Sequence, residues 1–141
     1  MITLDQVERA QKKWGEGIIK IGSLKNNYKL CKQFTSNFLN ERYNLKEGKI
    51  LFKPTKASEE QFRPNLDMAL SYFIGGEDSF CKEDQGFAMK PWIKVSFENS
   101  GFIFEKNRAI AMGNYFFTDL NEKTIKVEYS FGYKLIDSKL Y

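Results

Sequence analysis

Two runs of strict two-residue alternation, Ala109–Thr118 and Thr124–Leu135, limit what this 141-residue chain can become more than any other feature. In the first, Ala109, Ala111, Gly113, Tyr115 and Phe117 share one face, and Ile110, Met112, Asn114 and Phe116 share the other. In the second, Ile125, Val127, Tyr129, Phe131 and Tyr133 stand against Lys126, Glu128, Ser130 and Lys134. Successive side chains of a strand point to opposite faces, so such runs make long half-buried strands that need a second layer on their apolar side. Ile93, Val95 and Phe97 alternate with Lys94, Ser96 and Glu98 in a third strand. Asn99-Ser100-Gly101 reads as a turn, with Phe102–Glu105 beginning the return. Gly113 inside a long strand predicts a bend, so the sheet curves. After a turn at Asp137-Ser138-Lys139, Leu140-Tyr141 reads as the start of a further strand that is not completed.

The first half of the chain supplies the covering layer. Thr3-Leu4-Asp5-Gln6 has the form of a capping box. Val7, Ala10, Trp14, Ile18 and Ile21 then recur at three- and four-residue spacing, one apolar helical stripe. Gly15 and Gly17 each cost that helix up to ~1 kcal/mol, so they mark close packing or a bend. A second helix follows, with Tyr28, Cys31, Phe34 and Phe38 on its buried side. Lys49–Lys53 reads as a short strand stopped by Pro54, and Ser58-Glu59-Glu60-Gln61 as a capped helical turn. Asn65 after Pro64 is a good N-cap for a short helix carrying Leu66, Ala69, Leu70 and Phe73, which Gly75-Gly76 ends. Residues 77–90 form a polar loop. Helices first and meandering antiparallel strands afterwards give an α+β fold in one domain, residues 1–141, with 51–76 as its hinge.

Composition excludes more than it selects. The chain has 22 Lys and Arg against 18 Asp and Glu, and the two signs alternate along it, so no basic patch for nucleic acid is expected. No apolar run approaches the ~20 residues of a membrane span, and a cytoplasmic protein without a membrane partner is expected. There is no histidine, so neither a Ser/His/Asp or Cys/His nucleophile nor a histidine-ligated zinc site can be built. No cofactor or metal is expected, and Cys31 and Cys81 read as buried small hydrophobes. Aromatic residues make 16% of the chain, a composition suited to strands and pockets.

The remaining chemistry lies in carboxylates, lysines and hydroxyls. Thr55 follows Lys53-Pro54 where a strand ends, a position that either closes a turn or points into a cleft. Tyr72 stands one position off the apolar stripe of its helix, at the edge of the core. Phe52 and Phe73 are candidate apolar neighbours of a pocket. Glu128 faces either solvent or a pocket, and Asn114 is either a pocket residue or a satisfied core polar group. Tyr115, Tyr129 and Tyr133 read as core or pocket wall.

The order of elements resembles the cone-shaped SnoaL-like, or nuclear transport factor two-like, fold. Within it, WGEGIIKIG, LFKPT, QFRP, ALSYFIGG, PWIKVSFENSGFI, AIAMGNYFFTD and VEYSFGY resemble the iota-class carbonic anhydrases and bacterial relatives likened to the association domain of calcium/calmodulin-dependent kinase II. The resemblance implies a curved antiparallel sheet around N-terminal helices and metal-free hydration of CO2 to bicarbonate. It implies Thr55 (the Thr of KPT) and Tyr72 (the Tyr of LSYF) as site residues. The family's C-terminal His-His-Ser-Ser motif, which supplies a further Ser, is not in this sequence. A homodimer or larger homo-oligomer is the expected assembly, and a non-catalytic association or ligand-binding module is the alternative.

Overall fold

The computed structural model describes residues 1–141. Helices α1 (Leu4–Ser23), α2 (Tyr28–Tyr43) and α3 (Leu66–Ile74) precede strands β1 (Trp92–Phe104), β2 (Arg108–Asp119), β3 (Thr124–Ile136) and β4 (Lys139–Leu140). The strands form one antiparallel meander in the order β1-β2-β3-β4. The α+β fold class and the curved sheet over N-terminal helices are as the sequence implies.

Local chemistry starts each helix. Thr3 accepts from the Gln6 amide and Gln6 reaches back to the Thr3 amide, closing the capping box. Asn27 and Asn65 cap α2 and α3 through the amides of Leu30 and Met68. The buried face of α2 is Cys31, Thr35, Phe38 and Leu39, whereas Tyr28 is exposed. Gly17 is a packing glycine, since a methyl there would overlap the Phe38 ring. Trp14 is the hub under the sheet. It stacks on Tyr115 at 5.4 Å and meets Phe97, Phe117, Phe131 and Phe73 edge-on.

Three expectations are corrected. Asn99-Ser100-Gly101 is not a turn: β1 runs through it, and the register slips by one residue between Asn99 and Gly101. This bulge faces Gly113, where any Cβ would run into the Glu98 carbonyl, so bulge and glycine together bend the sheet. The hairpin instead closes at 105–107, where the Glu105 amide bonds the Arg108 carbonyl. Second, Lys49–Lys53 joins no sheet. It belongs to an irregular strap, residues 48–65, which doubles back through Ile50 N to Pro64 O (3.0 Å) and Arg63 N to Phe52 O (2.8 Å). Third, Ser58-Gln61 is not a helical turn, because Glu83 from the following loop takes the amides of Ser58, Glu59 and Glu60.

Candidate active site

A depression of about 970 Å³ is lined by the concave face of the sheet, the strap and the end of α2, and it continues round the strand ends onto Ile103, Ile110 and Ser130 of the outer face. Its apolar wall includes Trp14, Phe52, Phe131 and Ala109, and Thr55, Tyr43, Tyr115, Tyr129 and Tyr133 contribute hydroxyl-bearing side chains. The strap crosses the open edge of β3, where the Thr55 hydroxyl donates to the Glu128 carbonyl at 2.9 Å. Its proton is thus committed, and its oxygen keeps acceptor lone pairs.

Thr55 and Tyr72 are brought together through Tyr115. The Thr55 hydroxyl lies close enough to the Tyr115 phenol to influence its ionisation. The Tyr72 phenol lies close enough to Tyr115 for their charges to interact. Tyr72 does not line the large cavity itself; its ring packs edge-on to Phe52 at 6.2 Å and stacks on Phe87 at 5.8 Å. Burial pushes the Tyr115 phenol up to about 12, with neighbouring Thr55 pulling the other way. Burial, and then the neighbouring Tyr115, also raise Tyr72 above the ordinary tyrosine range. Both phenols stay protonated at neutral pH and serve as hydrogen-bond donors rather than bases.

The other expected residues divide between the two faces of the sheet. Phe52 and Tyr129 line the cavity. Phe73 does not, being a fully buried core residue stacked on Phe52 at 5.6 Å. Asn114 and Glu128 do not reach the cavity, because alternation that turns Tyr115 and Tyr129 inward turns both of them outward as cross-strand partners. Only the Glu128 backbone takes part. Tyr129 is tied to a polar cluster in which Gln11 and Asn99 exchange amide hydrogen bonds (2.7 and 2.9 Å), and it donates to Asn99. Tyr115 is the residue whose position between Thr55 and Tyr72 sequence reasoning missed. Its only signal was a polar-tipped aromatic on the inward face of β2.

A buried ion pair holds this corner rigid. Arg63 and Asp84 bond twice, at 2.8 and 2.9 Å, with both side chains almost wholly excluded from solvent. Arg63 also donates to the carbonyls of Glu60 and Met68, and Ser71 donates to Asp84. The strap, α3 and the loop after it are therefore joined at one point, next in sequence to Tyr72. The one group of potential metal donors is Glu59, Cys81 and Glu83, whose ligand atoms lie within 4.8 Å of one another. Glu83 already serves three backbone amides there, and those hydrogen bonds hold its carboxyl at about 2.

Residues 5–140 match the family described as metal-independent carbonic anhydrase. The chain belongs to that family. It is 35% identical over 130 residues to a metal-independent carbonic anhydrase of Nostoc sp. (strain PCC 7120), a match covering 90% of this chain and 63% of that protein. It also superposes on the crystal structure of an iota-carbonic anhydrase from a cyanobacterium complexed with bicarbonate. The TM-score is 0.92 at 34% identity, over 99% of this chain and 87% of the other. No helix of the chain is long and apolar enough to cross a membrane.

Proposed function

We propose that this chain, read as a single domain over residues 1–141, catalyses the reversible hydration of CO2 to bicarbonate. Thr55 and Tyr115 are the hydroxyl groups around the reacting atoms, and Tyr72 stands behind Tyr115 as a positioning residue. The observation that carries the reading is the Thr55 hydroxyl, fixed on the Glu128 carbonyl at 2.9 Å, at an aromatic cavity wall that also carries Tyr115. The overall step is addition of water: its oxygen bonds to carbon, one C=O π pair moves onto an oxygen of CO2, and a proton leaves to solvent. Thr55, whose own proton is held by Glu128, accepts a hydrogen from the water and orients it. The protonated Tyr115 phenol donates to the oxygen that gains charge. Apolar rings keep CO2 in place, so catalysis rests on positioning and on donors set in advance.

The test is stopped-flow CO2 hydration after exhaustive chelation. Tyr115→Phe and Thr55→Ala are each expected to lower kcat/KM by roughly 10²-fold, the usual cost of removing one such donor or orienting group, and Tyr72→Phe by less. Unchanged rates in all three variants would overturn the assignment. Because the Tyr115 donor persists up to about 12, its ionisation removes no activity from pH 7 to roughly 10.

Assembly and compartment belong to the same proposal. Ile103, Ile110 and Met112 are exposed together on the convex face of the sheet, which supports a homodimer formed there. A monomer in sedimentation equilibrium would sink that reading. Two buried, unpaired cysteines support a reducing compartment such as the cytoplasm.

A further inference from the structure

Strand β1 forms one edge of the sheet, at the opposite end of the strand order from β4. Its thirteen residues pair with β2 on one side only. No backbone hydrogen bond made outside the helices and strands involves residues 92–104, and the hydrogen-bonding side chains of β1, Trp92 and Asn99, turn to Phe87, Gln11 and Tyr129. The outer row of β1 amides and carbonyls is therefore unpaired, a template for another strand.

Register shifts after Trp92 and after Asn99 bound one regular stretch of this edge, Lys94–Asn99. Val95 and Phe97 point inward, Val95 against Gly15 and Phe97 edge-on to Trp14 at 6.0 Å. Lys94 and Glu98 therefore point outward, with Ser96 between them, and both charges are exposed. Their neighbours on β2 are Thr118 and Asn114, and neither charge belongs to any of the six ion pairs.

Charge usually guards an edge, and a lone lysine at the centre of this one would repel its own copy. This guard has a gap. Directly opposed residues of an antiparallel pair share a face and interact. A two-fold axis at Ser96 sets Lys94 opposite Glu98 of a second copy, and does so twice. The same axis sets Val95 opposite Phe97, a pairing of β-branched with aromatic side chains that favours a sheet. An axis at Lys94 or Glu98 brings like charges together, and an axis at Val95 or Phe97 leaves each charge without the other. One register alone is self-complementary.

We propose that the outer edge of β1 pairs with β1 of a second copy of this chain, antiparallel about Ser96, joining two four-stranded sheets into one. Such a contact is isologous, the same patch serving both sides. The stretch is short and buries well under the roughly 1,600 Å² of a standard interface, so the association is weak and concentration-dependent. It is separate from the convex-face contact at Ile103, Ile110 and Met112, and it does not rest on the catalytic reading.

The test is sedimentation equilibrium of the full chain carrying Ile110→Glu, which removes the convex-face contact, at up to about 1 mM protein in about 0.1 M salt. This parent is expected to pass from monomer to dimer as its concentration rises. Lys94→Glu and Glu98→Lys each turn both ion pairs into like-charge pairs, so each is expected to weaken dimerisation by roughly tenfold or more. An equimolar mixture of the two variants is expected to dimerise as the parent does, because each chain then meets opposite charges. The same recovery is expected of Lys94→Glu/Glu98→Lys, and it shows that neither change has damaged the fold. At about 1 M salt the variants and the parent should converge. Amide exchange across residues 94–98 should slow with concentration in the parent and not in the single variants. A parent that stays monomeric throughout overturns the proposal, as do single variants that dimerise like it, a mixture no stronger than its components, or exchange at 94–98 that concentration does not move.

Discussion

Arg63 and Arg108 border the same strap-and-sheet region and hold their charge in opposite ways. Arg63 is buried, bonded twice to Asp84 and once each to two carbonyls, so every part of its guanidinium serves the fold. Arg108 is exposed and sits across from another cation with no acid in reach. Burial demands a partner, because a lone charge taken out of water costs several kcal/mol. Exposure removes that demand, because water solvates the charge. The contrast separates charge that holds the fold together from charge that water solvates.

The largest effect should come from breaking the buried pair. Arg63→Met leaves the Asp84 carboxylate without its main partner and is expected to cost about 3–5 kcal/mol in urea denaturation. The double change Arg63→Met/Asp84→Leu should recover much of that loss, since the cost lies in the orphaned charge. A single variant as stable as the native chain would show that water reaches Asp84 and that the corner is not sealed.

A smaller effect, and one set by pH, concerns Glu83. The amides of Ser58, Glu59 and Glu60 hold its carboxyl at about 2, below the ordinary ~4.3 of the unfolded chain. A depressed carboxyl stabilises the fold fully above the unfolded value and loses that contribution as pH falls towards about 2. Proteolysis of the strap should therefore rise as pH drops from about 5 to about 2, and Glu83→Gln should already be cleaved readily at neutral pH. If Glu83→Gln has native resistance at pH 7, the carboxylate is not what holds the strap. The smallest effect belongs to the exposed pair: Lys134→Glu should stabilise by only about 0.2–1 kcal/mol, and by less in high salt.

Elements whose signals are local could be read directly. Thr3 with Gln6, Asn65 before Leu66, and the alternation on either side of Asp119–Lys123 each depend on neighbours within four residues. The bulge at Asn99–Gly101 was invisible for the same reason. Its turn-like composition is satisfied by one extra residue only because Gly113 lies opposite on another strand. The strap resisted reading because its partners, Arg63, Glu83 and the Glu128 carbonyl, lie up to 73 residues away from the groups they hold. Asn114 and Glu128 illustrate a further limit. Alternation places them on the face opposite Tyr115 and Tyr129, but only packing against α1 decides which face is concave.

By itself the sequence determined the α+β order, the helix caps, the long strands, the lack of imidazole chemistry and, through its resemblance, Thr55 and Tyr72 as residues to watch. Tertiary structure alone decided that Tyr115 lies near those two hydroxyls, that Arg63 and Asp84 seal their corner, and that Arg108 meets Lys134 across β2 and β3. The physical reason is range. Caps and alternation act over one turn or two residues, whereas the hold of Glu128 on Thr55, the approach of the hydroxyls and the repulsion between cations depend on distances that only strand register and the path of the strap can set.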